Sequence, residues 1–334
     1  MRAVAPAELT EDGLVAAIAD AIGTPPRRLR VGIGDDAAAW QPDAHHLELI
    51  TTDMLVDGVH FRSASADAAA LGHKALAKSL SDIAAMAGRP LLAIVALGVT
   101  HAIDEMWVRS FYRGMAGLAG KSRCSIAGGD IVRAPALTIA VTVVGDVRRT
   151  SMRTRSGAKG GDLVAVTGPL GLGAVGLRAV DAGDEKLSPR AANWYLKPQP
   201  RLAEGAFLGS RRAVHALMDI SDGVSTDLAR MARASHVDAT VSGDSLYVHP
   251  EVAAMTAACG LDTEHVVLSG GDDYELLVAI DPRAYAHVAS AFERRFGRPL
   301  SVIGRFEIGD GAVWIEHSGR REPLAPTGYD HLKS

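Results

Sequence analysis

The sequence predicts a two-domain α/β protein, and three observations lead to this fold class. The chain has 334 residues, which corresponds to about two domains at roughly 100–200 residues per domain. Segments with strand periodicity and segments with helix periodicity alternate through both halves. A basic stretch at residues 148–155 interrupts this alternation. We therefore predict an N-terminal domain over residues 1–150 and a C-terminal α/β domain over residues 151–334.

The first half begins with a predicted helix at residues 8–22, where apolar residues recur at helical spacing and Gly23 acts as a stop signal. A glycine–acid turn follows at residues 31–38. Alternating hydrophobicity then predicts a strand at residues 46–52 that delivers Asp53 at its end. The other elements predicted for this half are an Ala- and Leu-rich helix at 67–87, a strand at 91–99, a helix at 103–118 and a strand at 137–147.

In the second half, strands and helices continue to alternate, as in an α/β domain. Strands are predicted at residues 163–167, 214–220, 237–242, 274–280, 300–306 and 312–316. Helices are predicted at residues 174–180, 224–234, 250–259 and 283–296, and the polar stretch 181–190 is predicted to be a loop. Residues 171–176 spell GLGAVG after a strand. No second strand ending in an acid follows, so we predict a tight turn rather than a dinucleotide site.

The composition excludes several classes of protein. With 35 Lys and Arg against 39 Asp and Glu, the net charge is −4, which gives no reason to expect nucleic acid as a partner. The 2 cysteines are too few for a disulfide framework or a four-cysteine zinc site, and they fit a reducing compartment. The longest apolar run, residues 91–99, is too short to cross a bilayer and predicts a buried strand. The N-terminus lacks the apolar core of a secretion signal. We therefore expect a soluble cytoplasmic protein without a membrane partner.

The most informative pattern is a set of aspartates that the predicted elements place at loop tips, mostly beside glycine or a hydroxyl residue. Glycine lets the backbone approach a ligand closely, and aspartate offers the hard oxygen ligands that Mg²⁺ prefers. Thr51 and Thr52 could add hydroxyl ligands. A single Asp-Gly turn can be only a turn, and Asp82 has the alternative of a helix-surface ion pair with Lys78. The set comprises Asp35, Asp36, Asp53, Asp82, Asp130, Asp219, Asp222, Asp272 and Asp273.

A group of carboxylates of this size has to be neutralised. Two carboxylates about 4 Å apart repel by roughly 4 kcal/mol at an effective dielectric constant of about 20, so a cluster protonates unless cations bind it. A phosphorylated ligand adds further negative charge, which requires several Mg²⁺ ions. The pattern therefore predicts phosphoryl transfer assisted by metals, with no covalent nucleophile supplied by the protein.

Eight stretches of the chain stand in the order in which they occur in one family: VGIGDDAA, TTDMLVDGVHF, KSLSDIAAMAG, GGDIVR, TRSGAKGGD, DISDGVSTDL, SGGDDYEL and GYDH. Together they resemble the motifs of the thiamine-monophosphate kinases, which belong to the ATP-binding superfamily of aminoimidazole ribonucleotide synthetase. The resemblance covers about the whole chain. It implies direct, in-line phosphorylation of thiamine monophosphate to thiamine diphosphate with ATP and several Mg²⁺ ions. It also implies a homodimer in which the N-terminal sheets form a shared barrel, while the C-terminal domain closes the site.

The resemblance also implies roles for individual positions. Gly129 would contact ATP through its backbone, Arg155 would contact the nucleotide phosphates, and Ser221 would lie beside ATP. The residues implied to contact thiamine monophosphate are His60, Asp272 and Tyr329, of which the tyrosine can stack on a ring and the aspartate can face the thiazolium cation. The implied Mg²⁺ ligands are Asp36, Thr51, Thr52, Asp53, Asp82, Asp130, Asp219 and Asp222, of which Asp130 also belongs to the ATP site.

One position departs from the family pattern, which usually has Glu where this chain has the shorter Asp272. The kinase has two alternatives. The chain could be another synthetase of the superfamily: a purine-pathway synthetase, a selenophosphate synthetase or a hydrogenase-maturation dehydratase. The first cysteine, Cys124, is far downstream of the early position that the selenium enzyme needs, and the chain ends in HLKS rather than in a cysteine. The purine enzymes lack the GYDH ending. A nucleotide-binding regulator without turnover is disfavoured because unneeded buried carboxylates are costly.

Overall fold

The fold is described by a computed structural model over residues 28–32, 34–63, 67–183 and 188–329, and the helix predicted at residues 8–22 lies outside these ranges. Within them the chain forms two mixed sheets, one from each half. The prediction of a two-domain α/β fold is confirmed. No helix among these residues combines the length and the apolar character needed to cross a bilayer.

The N-terminal sheet carries the first half of the chain. Its strands in the described residues are β1 (Leu29–Val31), β2 (Ala38–Trp40), β3 (His46–Val56), β4 (Arg89–Val99), β5 (Ser125–Arg133) and β6 (Thr138–Arg148). They lie in the order β1-β2-β3-β6-β4-β5, and β4 and β5 run parallel. Helices α1 (Ala68–Ala85) and α2 (Glu105–Ser122) pack together on one face of this sheet and bury its apolar side chains.

The C-terminal sheet carries the second half. Its strands in the described residues are β7 (Leu163–Val166), β8 (Val214–Asp219), β9 (Val237–Ser242), β10 (Leu276–Ile280), β11 (Ser301–Ile308), β12 (Val313–His317) and β13 (Arg320–Pro323). They lie in the order β13-β12-β9-β11-β7-β10-β8, with β9 and β12 parallel. The helices of this half are α3 (Leu172–Asp181), α4 (Pro189–Leu196), α5 (Leu202–Gly209), α6 (Val224–Ser235), α7 (Pro250–Cys259), α8 (Thr263–Ser269) and α9 (Pro282–Phe296).

Helix α1 is the element that joins the two halves. Asp67 caps its start by accepting a hydrogen bond from the Ala70 backbone N–H at 2.7 Å. Its many alanines keep the helix narrow, so neighbouring elements approach it closely. Gly205 of α5 lies so near that a Cβ there would be 2.1 Å from the Ala84 carbonyl oxygen. Helix α1 therefore carries side chains into the space between the two halves.

The face of the N-terminal sheet opposite α1 and α2 is exposed in the single chain. Apolar side chains with large exposed fractions on this face include Ile50 at 43%, Met54 at 56%, Ile94 at 46% and Val132 at 55%. The neighbouring residues of β3 and β4 alternate with them and are buried against the helices. The strand predicted to be buried at residues 91–99 is buried on its helix face, and its other face is exposed in the single chain.

Several predicted loop tips are parts of regular elements. Strand β3 pairs with β6 as far as Val56, so Asp53 lies inside the strand and not at its end. Pairing with β4 likewise extends β5 through Asp130. Asp82 lies in the C-terminal turn of α1. The loop predicted at residues 181–190 gives way to α4 at Pro189. The sequence did not indicate α4 and α5, because these short helices depend on packing against the rest of the fold.

Candidate active site

Three aspartates from separate parts of the fold meet at one point. Asp36 follows β1 in the glycine–acid turn, Asp82 lies near the end of α1, and Asp219 ends β8. One carboxylate oxygen from each lies within 4.8 Å of the other two. We call these three residues the acid cluster. Carboxylate oxygens are ligands that Mg²⁺ prefers, and a group at this spacing can share a cation.

Hydroxyl groups orient the acid cluster. Thr51 of β3 donates a hydrogen bond to the Asp82 carboxylate, and Ser81 donates to Asp219 Oδ2 at 2.6 Å. Asp53, on the same strand as Thr51, accepts a hydrogen bond from Ser79 at 2.9 Å. These neutral donors fix the carboxylates without removing their charge.

The electrostatics of the acid cluster favour a bound cation. Burial raises the pKa of Asp82 well above its usual value, and Asp53 and the other cluster carboxylates raise it further. Burial, followed by the charge of Asp36, raises the pKa of Asp219 in the same way. Asp36 Oδ2 is buried and has no hydrogen-bond partner among the described residues. An unpaired buried carboxylate oxygen beside like charges fits a divalent metal ligand.

Arg155 approaches the acid cluster from the segment between the two sheets. Its Nη2 donates to Asp36 Oδ1 at 3.0 Å, and its Nε lies 3.8 Å from Asp35 Oδ1. Burial lowers the pKa of Arg155, but Asp36 and Asp35 outweigh it and the pKa is raised overall. A guanidinium beside a cation site can also donate to the oxygens of a phosphate that the cation binds.

Asp222 is not part of the acid cluster, and its carboxylate has a different partner. Its carboxylate pairs with Arg230, which also lies 3.1 Å from Asp227 Oδ1. Asp227 Oδ2 accepts hydrogen bonds from the backbone N–H groups of Ser221 and Asp222, both at 3.1 Å, and so fixes the turn after β8. The sequence reasoning missed Asp227 and Arg230, although their spacing of three residues on α6 is a signal for a pair.

A cavity of about 1160 Å³ lies between α1 and the second half of the chain. The side chains of Lys74 and Lys78 of α1 line it on one side, and the turn that carries Ser221 and Asp222 lines it on another. The three residues implied by sequence to meet thiamine monophosphate also line this cavity, namely His60, Asp272 and Tyr329.

Asp272 is held by two side chains at one end of this cavity. Its carboxylate accepts hydrogen bonds from Lys74 Nζ at 2.8 Å and from the Tyr274 hydroxyl at 2.7 Å. The Lys74 ammonium lies 3.3 Å from the centre of the Tyr195 ring. Burial opposes ionisation of Asp272, but Lys74 and Lys78 outweigh it, and its pKa is lowered below the usual range. Burial lowers the pKa of Lys74 to about 8.

Asp273, the neighbour of Asp272, has a structural role. Its carboxylate accepts hydrogen bonds from the backbone N–H groups of Gly171 at 2.7 Å and Gly173 at 3.0 Å, at the start of α3. Burial raises its pKa to about 8. A Cβ at Gly173 would lie 2.4 Å from the Gly271 carbonyl oxygen. The backbone of the Gly271 loop therefore packs directly against this glycine of the GLGAVG stretch. The predicted tight turn is confined to Gly171, which has a positive φ of 82°, and α3 begins directly after it at Leu172.

His60 and Tyr329 lie in the cavity wall on loops. His60 Nδ1 accepts a hydrogen bond from the Val56 backbone N–H at 3.0 Å, and its carbonyl accepts one from the Tyr195 hydroxyl at 3.1 Å. The backbone N–H of Tyr329 donates to the Asp222 carbonyl at 3.2 Å, which brings the C-terminal segment to the cavity. The sequence reasoning missed Tyr195 because nothing in its local pattern marks it.

Thr52, Gly129 and Asp130 are not brought to the acid cluster within a single chain. Thr52 follows Thr51 in β3 and therefore points to the exposed face of the sheet. Asp130 is exposed on β5. Gly129 and Asp130 border a separate hollow of about 430 Å³ that Tyr112 also lines. The sequence reasoning did not identify Tyr112.

Family models and curated relatives match the chain over most of its length. Residues 34–147 match the model of the N-terminal domain of AIR synthase related proteins, and residues 159–315 match that of the C-terminal domain. The chain is 32% identical to the thiamine-monophosphate kinase of Escherichia coli strain K12, over 96% of this chain and 98% of that protein. It is 33% identical to the thiamine-monophosphate kinase of Bacillus subtilis strain 168, over 91% and 94% respectively.

Solved structures show the same similarity. AaThiL complexed with AMPPCP and TMP superposes with a TM-score of 0.84 at 28% identity, covering 99% of this chain and 100% of that one. The thiamine-monophosphate kinase from Stenotrophomonas maltophilia K279a has a TM-score of 0.75 at 32% identity, covering 94% and 98%. The HypE-HypF complex, at 19% identity and a TM-score of 0.72 over 93% and 98%, shares the fold.

Proposed function

We propose that this chain, which belongs to the thiamine-monophosphate kinase family, transfers the terminal phosphoryl group of ATP to thiamine monophosphate and releases ADP and thiamine diphosphate. The observation that carries the proposal is the cavity beside α1 together with the acid cluster near the end of the same helix. Asp272 and Tyr195 line the cavity and suit a thiazolium cation, and α1 leads from there to the acid cluster. A substrate with a cationic ring and a phosphate can place the ring beside Asp272 and extend the phosphate along α1 towards the acid cluster.

In this proposal the acid cluster holds Mg²⁺. The clustered oxygens and the unpaired Asp36 Oδ2 support this assignment. Thr51 and Asp53 lie beside the cluster and extend its set of oxygen atoms. Bound Mg²⁺ offsets the charge of the phosphates and orients them for in-line displacement. Asp222 would join a metal site only by exchanging its present partner, Arg230.

The protein's own side chains position the reactants and form no bond with them. Arg155 lies where its guanidinium can donate to nucleotide phosphates. Ser79 and Ser81 are fully buried beneath the carboxylates, so neither hydroxyl is placed to accept a phosphoryl group. The acceptor phosphate is already an anionic nucleophile once it is oriented. Transfer is therefore direct and in line, without a phosphoenzyme.

Recognition of the acceptor falls to three residues of the cavity wall, His60, Asp272 and Tyr329. Asp272 faces the thiazolium cation, an attraction that strengthens once water is excluded. Its oxygens already meet Lys74 and Tyr274, but each carboxylate oxygen has a second lone pair for a further contact. Tyr329 is 42% exposed and can stack on an aromatic ring of the ligand.

Two chains pair through the exposed face of the N-terminal sheet, so that the sheets form a shared barrel. The apolar side chains of Ile50, Met54 and Ile94 on this face support the pairing. The strand register places Asp130 opposite Ala96, which is exposed on the same face, and Thr52 points the same way. Pairing thus brings both residues to the second subunit. Light scattering should give about twice 34.9 kDa, and a fully active monomer would contradict the proposal.

Two further assignments belong to this proposal. The boundary between the domains lies at residue 150, between the last strand of the first sheet and the first strand of the second. The site of action is the cytoplasm, a reducing compartment to which the free cysteines Cys124 and Cys259 fit.

The test of the function is a coupled ADP-release assay with the purified chain, ATP and MgCl₂. Thiamine monophosphate, thiamine and aminoimidazole ribonucleotide precursors are offered as separate acceptors, and the product is identified by chromatography. We expect ADP release with thiamine monophosphate alone, together with an equal amount of thiamine diphosphate. ADP release with a purine precursor, or with none of the acceptors, would reject the proposed function.

A further inference from the structure

Helix α1 carries three charged side chains at intervals of four residues, Lys74, Lys78 and Asp82. Residues at this interval share one face of a helix and lie about 6 Å apart along its axis. Lys74 contacts Asp272 in the cavity wall, whereas Asp82 belongs to the acid cluster. Lys78 therefore lies midway along α1 between these two groups, and it lines the cavity together with Lys74.

The two lysines differ in their partners. The Lys74 ammonium is occupied by the Asp272 carboxylate and by the ring of Tyr195. For Lys78, no carboxylate oxygen of the described residues lies within ion-pair distance, and its ammonium is 5.9 Å from the centre of the Tyr274 ring. The alternative of a simple surface ion pair between Lys78 and Asp82 is therefore wrong for this structure.

Carboxylates surround Lys78 at longer range. Burial is the largest influence on this lysine and lowers its pKa, but the nearby carboxylates outweigh it, so that the pKa is raised overall. The carboxylates responsible are, in decreasing order, Asp272, Asp53, Asp222 and Asp82. The side chain thus carries a positive charge while its three N–H donors are not taken by a carboxylate.

We propose that Lys78 binds the phosphate group of thiamine monophosphate and directs it towards the acid cluster, an inference that rests on the proposed function. Along α1, Lys78 lies between Asp272, where the cationic ring would bind, and Asp82, towards which the phosphate would point. A compact ammonium with available donors suits phosphate oxygens. Arg230 also lines the cavity, but Asp222 and Asp227 already hold its guanidinium.

A different result is expected if Lys78 only compensates the negative charge of the nearby carboxylates. A lysine that only offsets the charges of Asp53 and Asp82 would influence metal binding, but it would not distinguish a ligand that has a phosphate from one that lacks it. A lysine that contacts the phosphate favours thiamine monophosphate over thiamine. The two ligands differ in that one group, so the ratio of their affinities separates the two roles.

The experiment is calorimetry of thiamine monophosphate and of thiamine binding to the full chain, in EDTA and without ATP, so that no metal bridges the phosphate. Loss of a charge-assisted contact in Lys78→Met should weaken binding of thiamine monophosphate about tenfold or more, and change thiamine binding less than about twofold. Lys78→Arg retains the charge and should recover most of the affinity. If Lys78→Met does not fold, Lys78→Gln carries the same expectation.

Equal losses for both ligands, or unchanged affinity for both in the variant, would overturn the role of Lys78. A shift in the Mg²⁺ concentration needed for activity, with the ligand preference intact, would assign the compensating role instead. Failure of the proposed function is a separate outcome, because it is seen in the unaltered chain, which would then bind neither ligand or form no thiamine diphosphate.

Discussion

Helix α1 connects two groups of carboxylates in opposite electrostatic situations: Asp272 in the cavity wall at one end, and the acid cluster at the other end. In the acid cluster, burial and like charges raise the pKa values of Asp82 and Asp219. At the other end, Lys74 and Lys78 outweigh burial and lower the pKa of Asp272. The difference indicates where positive charge comes from: the chain supplies it to Asp272, whereas Asp82 and Asp219 receive hydrogen bonds from neutral hydroxyl groups and depend on ions from solution.

The largest expected effect is on turnover at the acid cluster. Asp82→Asn keeps the shape of the side chain but removes a charge that a metal needs, so kcat should fall roughly 10²- to 10³-fold, the size expected when one preorganised electrostatic group is lost. Steady-state kinetics with ATP and thiamine monophosphate measures it. The control is Asp146→Asn in β6 of the N-terminal sheet, whose carboxylate pairs with the exposed Arg89 and should matter less than about twofold. Normal activity of Asp82→Asn, or of the unaltered chain in excess EDTA, would contradict the claim that the acid cluster binds a metal that turnover needs.

The next effect is on stability, where the two ends should respond with opposite sign. Asp272→Asn leaves the buried Lys74 ammonium without its carboxylate, which should destabilise the metal-free chain by about 2–4 kcal/mol. Asp82→Asn relieves repulsion within the acid cluster and should leave the metal-free chain equally or more stable. Urea unfolding in EDTA measures both. Destabilisation of similar size by the two substitutions would show that Asp272 and Asp82 do not differ in their contributions to the stability of the metal-free chain.

A further substitution at Asp272 separates its two roles. Asp272→Glu keeps the charge and restores the residue usual in the family, so stability and turnover should be retained. Asp272→Asn should raise the KM for thiamine monophosphate far more than that for ATP, because the carboxylate faces the thiazolium ring. Equal changes in both KM values would move the role of Asp272 from substrate recognition to loop structure.

The smallest effect is the pH dependence of stability. Because the folded-state pKa values of Asp82 and Asp219 are raised above the ordinary 3.8, the unfolded chain loses these protons first. The stability of the metal-free chain should therefore fall as the pH rises above about 4, until the folded-state values are passed. Asp272 acts in the opposite direction, since its stabilising contribution is lost as the pH falls towards its lowered pKa. Melting temperatures in EDTA between about pH 5 and 8 should decline less for Asp82→Asn than for the unaltered chain. Parallel curves would contradict this.

The sequence indicated the composition of the acid cluster better than its geometry. Glycine- and hydroxyl-flanked aspartates, together with the family resemblance, pointed to Asp36, Asp82 and Asp219, which the fold brings within 4.8 Å of one another. The alternation of HLELITTD could also have shown that Thr51 and Thr52 face opposite sides of β3. The extension of β3 past Asp53 was not apparent, because it depends on pairing with β6.

The surroundings of Asp272 in the cavity were harder to predict, because their contacts join distant parts of the chain. Lys74 and Asp272 are 198 residues apart, and Tyr195 belongs to a helix that the sequence did not indicate. The position of Lys74 and Lys78 on one face of α1 follows from helical spacing. What that face meets is decided by packing between the two halves, which periodicity does not specify.

The most direct test of the difference between the two ends is calorimetric titration of MgCl₂ into metal-free protein saturated with AMPPCP. The account predicts that the unaltered chain binds Mg²⁺, that Asp82→Asn weakens this binding about tenfold or more, and that Asp272→Asn changes it less than about twofold. Equal weakening by the two substitutions, or no Mg²⁺ binding by the unaltered chain, would contradict the claim that Asp82 and Asp219 take their positive charge from solution.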